Sequence, residues 1–97
     1  KVKTLREGDF IPRILSLIKV SVNAGYRAEI MRITELMGAR IVDATRTTLT
    51  IEFSDTAERT ETLETLLRPY GIREIVRTGV IAIEKGPDPT RTVKRQG

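Results

Sequence analysis

The chain has 97 residues, of which 39% are hydrophobic and 4% aromatic, with no cysteine and no histidine. That length holds one domain around one core. The missing side chains exclude disulfides, thiolate or imidazole metal ligation, Ser–His and Cys–His nucleophilic pairs and histidine acid–base chemistry. Seventeen basic residues against thirteen acidic ones give a net charge of +4; Arg91, Lys94 and Arg95 sit near the C-terminal end and the other charges are mixed in sign, a balance that does not by itself mark a nucleic-acid binder.

No run approaches the roughly 18 apolar residues of a membrane span, and there is no signal-peptide pattern. The chain does not begin with Met and reads as a fragment or processed piece of a longer protein.

Residues 1–12 are polar, contain Gly8 and Asp9 and end in a proline that cannot donate to a sheet ladder, so they read as a linker from an upstream domain. Lys1–Leu5 reads as the end of a strand belonging to that domain. Arg13–Val22 is the stretch that orders the rest. Ile14, Ile18, Val20 and Val22 fall on one parity and Leu15 and Leu17 on the other, so a strand here is apolar on both faces and belongs in the middle of a sheet. Asn23-Ala24-Gly25 breaks it, with Asn23 as the expected N-cap of a helix. That helix, Tyr26–Met37, carries Ile30, Ile33 and Met37 on one stripe, with Arg27, Glu29, Arg32 and Glu35 mostly opposite, and Gly38 stands where a left-handed C-cap is expected.

Ala39–Arg46 and Thr47–Phe53 are rich in β-branched residues and predict two strands joined by a tight turn near Thr45–Thr48. In the second, Leu49, Ile51 and Phe53 alternate with Thr48, Thr50 and Glu52, which defines one inner face. Asp55 and Glu58 form a capping-box-like start to a second helix, Glu61 and Glu64 load its early turns, and Leu63, Leu66 and Leu67 are its expected buried stripe. Pro69 stops it. Ile72–Glu84 is a last extended segment with a bulge or bend expected at Thr78-Gly79. Residues 13–86 thus make the domain, and residues 87–97, with almost no apolar side chains, are expected to be a flexible tail.

The order β-α-β-β-α-β predicts an α+β, ferredoxin-like fold: an antiparallel four-stranded sheet in the order 4-1-3-2 with both helices on one face. The doubly apolar strand then lies centrally, as its pattern demands. The other sheet face is left bare, showing Leu15 and Leu17 or their opposite-parity neighbours, with Ile81 and Ile83 of the last strand, and a bare apolar face of this kind marks an interface, here a homodimer contact through the sheet or an edge.

Other constellations are weaker. Asp43, Glu52 and Glu74 all fall in strands and would form an oxygen site for a hard cation only if they converged. Arg77-Thr78-Gly79 offers an arginine beside a backbone nest, although an exposed arginine at a bulge is the simpler reading. RNA-binding domains of this topology stack bases on aromatic residues of the central strands, where this chain has only Phe53. Acylphosphatases of the same topology need a paired arginine and asparagine, and Asn23 is the only asparagine. What remains is a binding or regulatory module.

The residues themselves extend that reading. Ile14-Leu15-Ser16-Leu17-Ile18-Lys19-Val20, then Gly25-Tyr26-Arg27-Ala28-Glu29-Ile30, Ala39-Arg40-Ile41-Val42-Asp43, Thr50-Ile51-Glu52 and finally Leu67-Arg68-Pro69-Tyr70-Gly71-Ile72-Arg73-Glu74 joined to Arg77-Thr78-Gly79 form an ordered series. At these spacings it resembles the C-terminal domain of the small regulatory subunit of acetolactate synthase (acetohydroxyacid synthase), over about Arg13–Gly86. Ser54-Asp55 and Met37-Gly38 depart from the family's commoner residues, both at helix ends. The resemblance implies a non-catalytic subunit that needs no cofactor of its own. Its partner would be the catalytic subunit, which carries thiamine diphosphate, FAD and magnesium and makes the first intermediates of branched-chain amino-acid biosynthesis. The upstream domain would then be of ACT type, and any valine site would lie there rather than on this chain. A bacterial source would imply the cytoplasm, and an organelle is left open. The polar residues expected to touch the partner are Tyr26, Arg27, Glu29, Arg77 and Thr78, which flank apolar elements without being needed for packing. The rival reading is a basic nucleic-acid-binding module using Arg32, Arg40, Arg46 and the tail.

Overall fold

The computed structural model describes residues 7–89. Two helices lie on one face of an antiparallel sheet. In chain order the elements are β1 (Phe10–Ser21), α1 (Arg27–Met37), β2 (Arg40–Ala44), β3 (Thr48–Asp55), α2 (Ala57–Leu67), β4 (Ile72–Arg77) and β5 (Ile81–Glu84), with short 3-10 turns at Glu7–Asp9 and Arg68–Tyr70. The sheet order is β2-β3-β1-β4, the ferredoxin-like arrangement expected, with β5 also paired to β1.

The core follows from parity. On β1, Ile14, Ile18 and Val20 are buried together with Ser16, and on β3 the buried set is Leu49, Ile51 and Phe53. The register places Ile18 against Ile51 and Val20 against Leu49, so both strands point the same set at the helices. Ile30 of α1 and Leu63 and Leu67 of α2 close over it, each such side chain contributing about 1.5–3 kcal/mol of apolar burial. The hydroxyls caught inside are satisfied: Ser16 Oγ donates to Phe53 O at 3.3 Å, Thr34 Oγ1 to Ile30 O at 2.9 Å and Thr60 Oγ1 to Thr56 O at 2.8 Å.

Helix ends differ from expectation in instructive ways. Asn23 is not the N-cap of α1; its Oδ1 accepts from the Gly25 and Tyr26 N–H groups, making a side-chain-closed turn before the helix, and Tyr26 holds the N-cap position without a side-chain bond. Gly38 does take the left-handed C-cap, at φ 78°. The N-cap of α2 is Thr56, whose Oγ1 accepts from Arg59 N–H at 3.2 Å, while Asp55 accepts from Thr56 N–H and pairs with Arg59 Nε at 3.0 Å. The buried stripe of α2 is Thr60, Leu63, Glu64 and Leu67, an i, i+3, i+4, i+7 set, and Leu66 faces out.

The predicted turn is present, with Thr45 N–H bonded to Thr48 O at 2.8 Å. The expected break in the last strand is also present. Arg77 opposes Ser16 and Ile81 opposes Arg13, so β4 and β5 follow β1 in the same direction with one extra residue between them, across Thr78–Val80.

The start of β1 extends into the stretch read as linker. Phe10–Arg13 pairs with Ile81–Glu84 but not with β3, whose pairing begins at Ile14. The two form a narrow arm beyond the sheet. Asp9 O and Leu15 O accept from Lys85 and Thr78, while Val22 N–H reaches Thr47 O. Odd-numbered residues of β1 therefore aim their backbone at β4 and β5, and even-numbered ones, Pro12 included, at the other edge. Along the arm no described strand occupies that edge, so Pro12 removes a donor that would have had no partner. The tail expectation for residues 90–97 and the strand expectation for Lys1–Leu5 lie outside the described residues. No helix among the described residues is long and apolar enough to cross a membrane.

Candidate functional site

The sheet face away from the helices is built by the odd residues of β1. Leu15 and Leu17 are each 40% exposed there, Val76 of β4 lies opposite Leu17, and Ile83 and Ile81 of β5 lie opposite Ile11 and Arg13. The four residues expected to form the apolar face, Leu15, Leu17, Ile81 and Ile83, do share one side. Ile11 and Val76 join them and were not singled out in the sequence, although the alternation of Ile75 with Val76 in β4 carries the signal. The same face turns polar beyond these residues: Lys19 of β1 pairs with Glu74 of β4 at 3.9 Å, and Arg40 of β2 with Glu52 of β3 at 3.8 Å. These pairs use two of the three carboxylates that a cation site would have needed, Glu74 and Glu52, and no three acidic groups converge to hold a metal among the described residues.

The polar residues expected to contact a partner separate into two places. Tyr26, Arg27 and Glu29 meet at the end of the domain where β1 gives way to α1. The Tyr26 and Tyr70 rings pack with centroids 5.1 Å apart at 50°, and the Tyr70 hydroxyl donates to Glu29 Oε1 at 2.8 Å. That hydrogen bond and the charge of Glu29 hold the Tyr70 phenol above its usual value near 10. Tyr70 reaches this position because Gly71 follows at φ 102°, with its carbonyl accepting from Ser21 N–H. Arg27 Nη2 donates to the carbonyls of Thr45 and Arg46, fastening the β2–β3 turn to the helix.

Arg77 ends β4 and Thr78 follows it in the break before β5. Arg77 Nη2 reaches the Glu64 carboxylate at 3.3–3.4 Å. The Glu64 side chain is only 6% exposed and its Oε2 has no hydrogen bond, so Arg77 is the counter-charge of a buried group. Thr78 continues the ladder: its N–H donates to Leu15 O, and its Oγ1 accepts from Leu15 N–H while donating to Gly79 O. Arg77 and Thr78 thus perform folding tasks at the bulge, and Glu64 is the residue sequence reading missed, since its partner stands on a different element.

A family model described as the small subunit of acetolactate synthase matches residues 13–86. The acetolactate synthase small subunit of Mycolicibacterium smegmatis is 40% identical over 87 residues, covering 90% of this chain and 51% of that protein. Acetolactate synthase small subunit 1, chloroplastic, of Nicotiana plumbaginifolia is 39% identical over 85 residues, covering 88% of this chain and 19% of that protein. Among solved structures, the acetolactate synthase small subunit of Thermotoga maritima matches with a TM-score of 0.78 at 27% identity, over 84% of this chain and 50% of that one. The chain therefore spans about half the length of the mycobacterial relative, at 51%. With the family model covering most of the ordered fold and the same architecture in a solved relative, the chain belongs to the acetolactate synthase small-subunit family.

Proposed function

We propose that this chain is a non-catalytic regulatory domain that binds the catalytic subunit of acetolactate synthase and raises its activity in the biosynthesis of valine, leucine and isoleucine. Thiamine diphosphate, FAD and magnesium belong, in this reading, to the catalytic subunit, and the compartment is whichever one houses that subunit. The observation that carries the proposal is the sheet face on which Leu15, Leu17, Val76, Ile81 and Ile83 stand exposed side by side. Both described helices lie on the other side, so this face is open to be completed by a protein surface. A second copy covers the apolar half in a homodimer, and the assembled subunit engages the enzyme. Preferential binding to the active form shifts its population, and a tenfold activation needs only about 1.4 kcal/mol of preference.

The test mixes the chain with a matching catalytic subunit and follows co-elution and acetolactate output together. A stable complex with a raised rate is expected. A folded chain that neither co-elutes nor changes the rate overturns the reading.

A further inference from the structure

We infer that the end of the domain holding Tyr26 and Tyr70 is the docking surface for an acidic patch of the catalytic subunit, an inference that rests on the regulatory reading above. Four arginines gather at this end. Arg27 opens α1, Arg46 sits in the β2–β3 turn, Arg68 opens the 3-10 turn after α2, and Arg73 lies at the start of β4. Backbone bonds bring the segments together, since Ser21 N–H meets Gly71 O on one side of β1 and Val22 N–H meets Thr47 O on the other.

None of the four has a carboxylate partner among the described residues. Arg27 is spent on two carbonyls and Arg73 Nε donates to Ser21 Oγ at 2.8 Å, so both guanidinium groups are held in place with their charge uncompensated. Elsewhere Arg40, Arg59 and Arg77 have acidic partners, while Arg13, which donates to the Pro12 carbonyl, and Arg32 stand singly on β1 and α1. Glu29 at this end accepts from the Tyr70 hydroxyl and keeps its negative charge, and Glu74, next to Arg73, is paired with Lys19, so the four arginines outnumber the acids around them. The α1 N-terminus, with no side-chain cap on its first turn, adds its positive dipole end to the same region. Like charges crowded together and unanswered within the fold are the signature of a surface completed by the opposite charge.

A protein patch fits better than a nucleic acid. The two tyrosine rings pack on each other rather than standing apart to receive bases. A mostly apolar cleft lined by Ala28, Ile33, Leu36 and Tyr70, with Glu29 and Arg32 also in its wall, adjoins this end and suits an aliphatic side chain.

The experiment compares the chain with an R46E/R68E/R73E variant and an R46K/R68K/R73K variant, sparing Arg27 because it fastens the turn. Each is checked by circular dichroism and sedimentation, then titrated against the catalytic subunit at roughly 50 and 300 mM salt. The Glu variant is expected to bind about tenfold or more weakly with its self-association unchanged, the Lys variant to retain binding, and wild-type affinity to fall with salt. A wild-type complex that is indifferent to salt, or a Glu variant that binds equally well, overturns this docking surface and leaves the regulatory reading standing. Absence of any wild-type complex overturns both. Retardation of RNA or duplex DNA by the wild type near 150 mM salt, lost in the Glu variant, assigns the same end to a polyanion and overturns the protein-docking proposal.

Discussion

The two faces of β1 carry aliphatic side chains of similar size and meet different fates. Ile18 and Val20 are fully enclosed, while Leu15 and Leu17, their neighbours in sequence, each keep 40% of their surface in solvent. Hydrophobicity alone does not separate them. The difference is architectural: a β-α-β-β-α-β chain returns both helices to one side, so the even residues gain a cover and the odd ones do not. The even set therefore serves stability and the odd set is free for association, and the two can be perturbed independently.

The largest expected effect is on the enclosed face. Ile18→Ala removes buried methylenes without a helix able to follow, and should lower unfolding free energy by about 2–5 kcal/mol, whereas Leu17→Ala should cost less than about 1 kcal/mol. Equal losses in a denaturant titration would abolish the distinction between the faces. Next comes the latch between α2 and β4. Arg77→Ala strands the Glu64 carboxylate in the interior and should cost about 1–3 kcal/mol, with a second change, Glu64→Gln, recovering much of the loss because no charge is then left buried. A double variant as unstable as the sum of the two singles would show that the pair is not coupled.

On the open face the sharper readout is assembly. Leu17→Lys should shift sedimentation toward monomer while moving the melting midpoint little; an unchanged sedimentation profile would remove this face as the self-association contact. The smallest effect concerns acid. Burial pushes the Asp55 carboxyl upward, but the hydrogen bonds from Thr56 N–H and Arg59 and the charges of Arg59 and Arg13 outweigh it and hold the group below its usual value. A depressed folded value means that the stabilisation is complete above the unfolded value of about 3.9 and fades as pH falls through the lower folded value. Asp55→Asn should flatten that acid limb, and a superimposable stability–pH curve would deny Asp55 the role.

Most of the fold was legible because it rests on local periodicity. The doubly apolar strand, the Thr45–Thr48 turn, the Gly38 cap and the bulge near Thr78-Gly79 are each encoded within a few adjacent residues. What stayed hidden depended on distant partners. Leu63, Leu66 and Leu67 are the apolar choice for the inner stripe of α2, yet the helix rolls so that Glu64 goes inside, and only Arg77, thirteen residues away on another element, makes that tolerable. Asp55 and Thr56 are both good caps; Thr56 takes the role while Asp55 accepts from Thr56 N–H and Arg59 Nε. The same holds for the partner residues. Arg27 and Thr78 look spare in the sequence because their acceptors and donors, the Thr45 carbonyl and the Leu15 amide, belong to other segments.

Pro12 bears on how far association can spread. A protruding ribbon with an uncovered apolar side is the part of a molecule most able to recruit further copies by adding backbone to backbone. A ring nitrogen facing outward interrupts that row, so an arriving strand meets a gap where the ladder would have to begin. Growth along the arm by strand addition is thereby discouraged, while the side chains of the open face stay available for contact.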